Sequence, residues 1–431
     1  MSDSKIVVGL DIGTTKVAVI VGQSNKDGKL EVLGFSKTEA AGIHRGQIAN
    51  LQEAVTTIGA ALKESEIKSN VEISEVVVGI AGQHIRSTQH RGNIVRSNNQ
   101  EEISKEDVEK LKDNMWKINT RPGERIVSVI TQEYFIDSNP VTSNPVGMIG
   151  SELAANFHII TGNVNAVRNI YECVNRVNCD IKELILEPLA SANAVLDDEE
   201  KEAGVVLVDI GGGTTDVAVI HDNIVRHTAV IPFGGNIITE DIKEGCMIIR
   251  SQAEKLKVKY GSCLSNQNRQ DEIITIPGIR GHNPREISMH SLASIIQSRV
   301  QEILGQVAVE IKNSGYEDKL IAGIVLTGGG ALIKHIKELT EFTTGMSVRI
   351  GFPTDYISEK SIQDLNSPIY STSIGLALQA LMIEDDAEEV ENNTQVDKKK
   401  RKTEGKSRKL TGEGVKKIFE NLFGDRGEEY K

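Results

Sequence analysis

The chain of 431 residues carries 49 Lys and Arg against 61 Asp and Glu, a formal net charge of -12. A length of this order favours about two to four domains, because a single core stops growing well below it, and the acidic balance argues against general nucleic-acid binding. Four cysteines, Cys173, Cys179, Cys246 and Cys263, form no C-x-x-C pair, which points to buried free thiols in a reducing cytosol and away from zinc.

The opening stretch MSDSKIVVG turns polar again soon after its first apolar run. Neither a secretory apolar core nor a spanning run of about 20 apolar residues is therefore expected, and any action at a membrane is expected from one surface. Two β-branched runs follow, VVGLDIG and KVAVIVG, separated by a Gly-Thr-Thr turn; they predict a hairpin, with a third strand around KLEVLGFS. Leu51, Ala54, Val55, Ile58 and Leu62 recur at three- and four-residue steps, predicting an amphipathic helix over 51–66. EVVVGIAG reads as a buried strand. Residues 86–162 differ in texture: a polar strand, a helix opened by Ser104 with Asp107 as its capping-box partner, and the strands ERIVSVITQEYFID and ELAANFHIITG. They predict a self-contained βαββ insertion. Strand and helix signals then alternate through a helix over 165–178 to VVLVDIGGGTTDVAVI at 205–220. Polar sequence over 235–285 suggests a smaller inserted lobe that ends in a long helix over about 286–313.

Past Ile383 the composition breaks. EDDAEEVE is acidic, and DKKKRKTEGKSRKL carries eight basic residues against two acidic ones, so a disordered linker is expected. GEGVKKIFENLFGD then places Val415, Ile418, Phe419, Leu422 and Phe423 at i, i+3, i+4, i+7 and i+8, within an arc of roughly 140° at about 100° per residue. Lys416 and Lys417 stand beside them. The parts suit an interfacial membrane helix on anionic lipid; the alternative is a helix that docks in a protein groove, and the basic run favours lipid.

The two DIG segments carry the chemistry. The second copy reads as the first with two glycines inserted. Asp11 and Asp209 each close a buried strand ahead of the turn, where an acid is costly unless it meets a cation or its water shell. Gly13, Thr14 and Thr15 in one turn, and Gly211, Gly212, Gly213, Thr214 and Thr215 in the other, supply backbone N–H and hydroxyl donors for phosphate. Lys16 can reach those phosphates as a point charge. The alternative is a pair of ordinary hairpin turns, which leaves the repeated acid unexplained. A third glycine run, Gly328, Gly329 and Gly330 in IAGIVLTGGGALIKHIKEL, predicts a turn that puts N–H groups at a positive helix end. Neither the Walker A pattern nor the dinucleotide fingerprint fits. The nine histidines are scattered without one-face metal spacing.

Two DxG hairpins and a late GGG turn resemble the actin, sugar-kinase and heat-shock-chaperone ATPase superfamily. Within it, VVGLDIGTTKVA, GIAGQHIRS, NPVGM, VDIGGGTTDVAV, RHTAVIPFGGN, AGIVLTGGGALI and YSTSIGLAL resemble, in order, the blocks of the FtsA family of bacterial cell-division proteins, over residues 5–383. The resemblance implies an α/β, two-lobed actin-like ATPase fold, with a duplicated mixed β-sheet, flanking helices and an inserted subdomain. In that scheme 1–85 and 163–202 form the first lobe core, 86–162 the inserted module, 203–235 and 314–383 the second lobe core, and 236–313 a smaller lobe. A charged linker over 384–411 and a membrane-targeting helix over 412–431 complete it.

ATP and magnesium are the implied cofactors. Asp11 and Asp209 match the metal-side aspartates, the metal being held through water; Gly328, Gly329 and Gly330 match the adenosine loop, and Gly234 and Gly235 also fall on the cofactor side. Glu187 stands where related ATPases orient the attacking water, or is simply a helix-initiating acid before Pro188. Glu254 and Lys257 match ribose contacts, or form a solvated i, i+3 ion pair. Arg285 and Arg299, flanking the long helix, fall where the family receives the C-terminal peptide of the tubulin-like protein FtsZ. The family implies self-association into filaments, other division proteins and anionic membrane lipids as partners, at the cytoplasmic face of the cell membrane at the septum. It implies at most a slow ATPase. The alternatives are a small-molecule kinase of the same fold and a pilus-assembly membrane adaptor.

Overall fold

A computed structural model describes residues 5–96, 101–141, 144–269, 271–278, 283–361 and 365–384. The linker beyond 384 and the stretch bearing Val415, Lys416, Lys417, Ile418, Phe419, Leu422 and Phe423 lie outside the described residues. Everything below concerns the unit that ends at Met382.

The first lobe opens with β1 (Ile6–Ile12), β2 (Lys16–Ser24) and β3 (Leu30–Glu39), an antiparallel meander whose first two strands are buried on both faces. A short hairpin, β4 (Ile43–His44) and β5 (Gln47–Ile48), leads into α1 (Leu51–Ser69). The Asn50 side chain caps α1 by accepting from the Gln52 and Glu53 N–H groups, and Asn70 ends it in the left-handed conformation. Ala54, Ile58, Ala61 and Leu62 form its buried face. β6 (Glu75–Ile80) then lies parallel to β1.

The insertion follows as β7 (Arg86–Val95), α2 (Lys105–Met115), β8 (Glu124–Ile136), a short β9 (Asn139–Val141) that sequence did not announce, and β10 (Glu152–Asn163). Its sheet runs β7-β10-β8-β9 and has its own core around Ile103, Leu111, Met115 and Phe157. The Ser104–Asp107 capping box is present on α2. α3 (Val164–Asn175) and β11 (Asp180–Leu186) return the chain to the first lobe, whose sheet runs β11-β6-β1-β2-β3.

α4 (Glu187–Val195) and α5 (Asp198–Ala203) cross to the second lobe. There β12 (Val205–Ile210), β13 (Thr215–His221) and β14 (Ile224–Ile231) repeat the meander. Next come α6 (Gly235–Cys246), α7 (Arg250–Tyr260), β15 (Ile273–Ile276), β16 (Arg285–Ser288) and α8 (Met289–Ser314), whose buried residues share one core with the second sheet. The long helix therefore begins at 289, because 285–288 pair as a strand with β15. β17 (Gly323–Thr327), α9 (Ile336–Thr344) and β18 (Val348–Ile350) close the second sheet in the order β14-β13-β12-β17-β18. Each lobe is thus an antiparallel three-strand meander continued by two parallel strands, and the duplication of the DIG motif is a duplication of whole sheets. The four cysteines are buried and unbridged.

Residues 371–382 are helical and pack back across the junction of the lobes. A Cβ on Gly375 would run into the Ala190 backbone of α4, and one on Gly9 would lie 2.7 Å from the Ala377 nitrogen. The crossing is that close because both positions lack side chains.

Candidate functional site

The two DIG hairpins are built alike. Gly13 N donates to Lys16 O at 3.0 Å, and Gly211 N donates to Thr214 O at 2.9 Å. The last paired residues are Ile12 with Val17 in one and Ile210 with Thr215 in the other, so the loops are equally long. The apparent glycine insertion is not an insertion: register places Gly212 and Gly213 where the first loop has Thr14 and Thr15, and pushes the second Thr-Thr-Asp toward the strand. Thr215 consequently lies in β13, fully buried, and donates to the Phe233 carbonyl at 2.8 Å. It does not face the cleft.

The loops meet. A Cβ on Gly212 would strike Thr15, and one on Gly213 would strike Thr14 and approach the Arg45 Cα at 3.0 Å. Beside this contact opens a cavity of about 490 Å³ lined by Asp11, Gly13, Thr14, Thr15, Lys16, Glu187, Asp209, Gly211, Gly212, Gly213, Thr214, Gly235, Glu254, Lys257, Gly328, Gly329 and Gly330. Gly234 instead lines an adjoining cavity of about 290 Å³ that shares Thr14, Gly212, Gly213 and Asn236 as walls. The turn at Gly328 leads into a short 3₁₀ segment, Gly329–Leu332, and α9 starts only at Ile336. The expected positive α-helix end at the glycine run is therefore absent; what lies there is a backbone loop.

The electrostatics are unusual for a buried space. Asp11, Asp209 and Asp216 are all buried, and Glu187 stands at the start of α4 with its carboxyl among them. Burial drives the Glu187 carboxyl well above the ordinary carboxylate range, with Asp11, Asp216 and Asp209 adding to it and Lys16 opposing. Asp216 is pushed up by burial and by Asp209. Burial also raises Asp209, although Ser191 Oγ at 2.7 Å and Thr372 Oγ1 at 3.1 Å donate to its Oδ2 and restrain the shift. Burial pulls the Lys16 ammonium down, but its ion pair with Asp11 and the charges of Asp209 and Glu187 outweigh this and raise it.

Asp216 was missed by sequence reasoning. It faces Asp209 across the hairpin, accepts from Thr214 Oγ1 at 3.2 Å through Oδ2, and leaves Oδ1 buried without a partner among the described residues. An acid directly ahead of the apolar run VAVI is the available signal. Lys37 and Thr372 also line the cavity and carried none, since each looks like an ordinary strand or helix residue.

Four carboxylates against one close cation, with one oxygen unpartnered, fit a hydrated divalent cation. Among the described residues no group of three His, Cys, Asp or Glu is placed to hold a metal alone, so such a cation would need water and ligand oxygens.

On the far wall, Lys257 Nζ donates to Gly235 O and Thr239 Oγ1, both at 2.8 Å, and pairs with Glu254. The lysine is largely buried, and burial lowers its pKa, while its partner Glu254 is about half exposed. Arg299 lies within α8 rather than beside it, clamped by Asp241 at 2.5 and 3.0 Å and by Glu302. Arg285 is exposed, on β16, with Nη1 donating to the Cys246 carbonyl at 3.2 Å. No helix among the described residues is long and apolar enough to cross a membrane.

Comparison with known proteins bears on the family and the fold. Family models described as "Cell division protein FtsA" and "SHS2 domain inserted in FTSA" match residues 206–375 and 82–161. The chain is 38% identical to the cell division protein FtsA of Pseudomonas aeruginosa, over 90% of this chain and 92% of that one. To FtsA of Escherichia coli strain K12 it is 36% identical, over 87% and 90%. Solved structures share the fold at lower identity: MreB5 of Spiroplasma citri bound to ADP (TM-score 0.54, 16% identity, 89% of this chain and 98% of that one) and the PilM-PilN type IV pilus biogenesis complex (0.63, 14%, 87% and 98%). The relatives' identity over nine-tenths of the length, joined to the inserted module and the paired acid hairpins, means that the chain belongs to the FtsA family of cell-division proteins.

Proposed function

We propose that the cleft binds magnesium-ATP, that the nucleotide-bound chain polymerises at the cytoplasmic face of the cell membrane at the division septum, and that its terminal amphipathic helix anchors FtsZ polymers there while other division proteins are recruited. The observation that carries the nucleotide half is the pair of facing acid-glycine hairpins, with Asp11 and Asp209 buried behind loops that touch.

Backbone N–H groups of Thr14 to Lys16 and of Gly212 to Thr214 would hold phosphate oxygens, since Gly13 N and Gly211 N close their own turns, with Lys16 as a point charge. Asp11 and Asp209, with Asp216 behind them, would hold the metal through its water shell. A bound magnesium ion supplies charge neutralisation on the phosphates. Glu254 and Lys257 would meet the ribose, and Gly328 to Gly330 the adenosine. Glu187 holds its proton unusually tightly, so it suits positioning and proton exchange with an attacking water in a slow hydrolysis. For FtsZ, Arg285 is the available cation, and Arg299 would have to leave Asp241 to meet a peptide carboxylate.

The membrane half rests on the sequence of 412–431. Full burial gives about 1.5 to 3 kcal/mol per large apolar side chain, and each nearby basic residue about 1 kcal/mol on anionic lipid. A short helix must be ordered from coil and reaches only the interface, so one copy binds weakly. An array binds tightly through effective concentration, which links polymerisation to attachment. The test is co-sedimentation with anionic vesicles, with and without magnesium-ATP, for the full chain and a chain ending at Leu410. The full chain should pellet, more so with ATP, and the shorter one should stay in solution. If both stay in solution throughout, the membrane half is wrong.

A further inference from the structure

The inserted module belongs to the first lobe by chain order, between β6 and α3, yet its side chains grip the second lobe. Ser87 Oγ on β7 donates to the Thr228 carbonyl at 2.8 Å, Gln89 Nε2 to the Arg226 carbonyl at 2.8 Å, and Gln132 Nε2 on β8 to the Val225 carbonyl at 2.5 Å. All three acceptors lie on β14, the edge strand of the second sheet. An exposed edge normally offers its carbonyls to another strand; here amide and hydroxyl side chains take them instead. The register shift opposite Val219 and Ile220 puts a bulge at Arg226, which lets the consecutive carbonyls of Val225 and Arg226 both be reached.

His158 on β10 completes the grip. Gln89 Nε2 can only donate, so His158 Nδ1 accepts at 3.2 Å, and the proton sits on Nε2, which donates to Thr228 Oγ1 at 2.8 Å. The Arg226 guanidinium pairs with Glu133 of β8 at 2.5 Å and lies over the Tyr316 ring, 5.0 Å from its centre.

β14 leads directly to the glycine loop. Its Ile231 pairs with Thr215, Thr215 Oγ1 donates to Phe233 O at 2.8 Å, and Gly235 N and Asn236 N donate to Gly211 O and Gly212 O, each at 2.8 Å. From Thr228 to Ile231 is about 10 Å of extended strand, at about 3.4 Å per residue. A stiff hydrogen-bonded strand of that length carries displacement from one end to the other.

We propose that this strap, Ser87, Gln89 and Gln132 holding the β14 carbonyls, couples occupancy of the phosphate loops to the orientation of the inserted module, so that the module reports the nucleotide state to whatever binds it. This rests on the nucleotide reading above. By reciprocity, a protein that holds the module in one orientation changes nucleotide affinity by the same factor.

Hydrogen exchange read by mass spectrometry on the full chain, with and without magnesium-ATP, tests it. Added nucleotide should slow exchange at the loops, 209–215, and change it several-fold over 86–95 and 124–136. In the Gln89→Ala, Gln132→Ala double variant, loop protection should persist and the module's response should vanish; Thr228→Val, nearly isosteric, should weaken the response if the double variant folds poorly. Loop protection with no module response in the unmodified chain overturns the strap alone, as does a response that survives in the double variant. Absence of any protection at the loops overturns the nucleotide reading, and the strap with it.

Discussion

Asp209 and Asp216 stand opposite each other on the β12–β13 ladder, both buried; hydroxyls of Ser191 and Thr372 hold the first, while Oδ1 of the second meets no partner among the described residues. Two like charges at facing positions oppose folding, and here they do so at the centre of the cleft.

Asp216→Asn should therefore raise the melting temperature of the ligand-free chain at neutral pH, by an amount corresponding to about 1 to 3 kcal/mol. The sign follows from its raised folded pKa. Such a carboxyl binds its proton more tightly folded than unfolded, so stability is greatest at low pH and falls as pH rises from the ordinary carboxylate range toward the folded value. The gain from the substitution should shrink to nothing as the solution is acidified. Magnesium-nucleotide should stabilise the variant less than the original chain. Calorimetry across pH checks both.

Glu187→Ala should leave ATP affinity within a few-fold and slow hydrolysis by about 10² to 10⁴. Equilibrium binding and single-turnover hydrolysis separate these effects. Unchanged turnover removes Glu187 from the chemistry and leaves it as the first residue of α4.

His158 is buried and neutral, with a pKa lowered to about 4 by burial, the charge of His227 adding to it. The unfolded chain takes up this proton near pH 6.5. Between those values the unfolded state binds more protons, so this group's contribution to stability is present above pH 6.5 and is lost as pH falls toward 4. His158→Gln should show a flatter decline over that window in urea melts of the two proteins.

Gly375→Ala places a methyl group in the Ala190 backbone. Neither helix can yield without moving the junction between the lobes, so a loss of about 3 kcal/mol is expected. A denaturation midpoint unchanged from the original chain would show that the crossing is looser than its geometry.

Much of the architecture is legible in short stretches. The buried strand at 205–210, the Ser104–Asp107 cap and the α1 stripe are set by residues within a few positions of each other, so period and capping chemistry read them directly. The glycine run at 328 misled, because a strand-turn-helix pattern does not distinguish an α-helix starting at once from a 3₁₀ segment with the helix seven residues later. Arg299 misled for a different reason: its partner, Asp241, lies on another helix 58 residues away.

The amino-acid sequence by itself determined the duplication, the two acids before the glycine turns, the inserted module and the family, since each is written in local order and alternation. Only the tertiary structure decided that the two turns are equally long, that Thr215 faces away, that Asp216 joins the acids, and that the module grips β14. Those depend on strand register and on burial between segments far apart in the chain, where solvent exclusion and cross-lobe hydrogen bonds, rather than near-neighbour preference, set which groups meet.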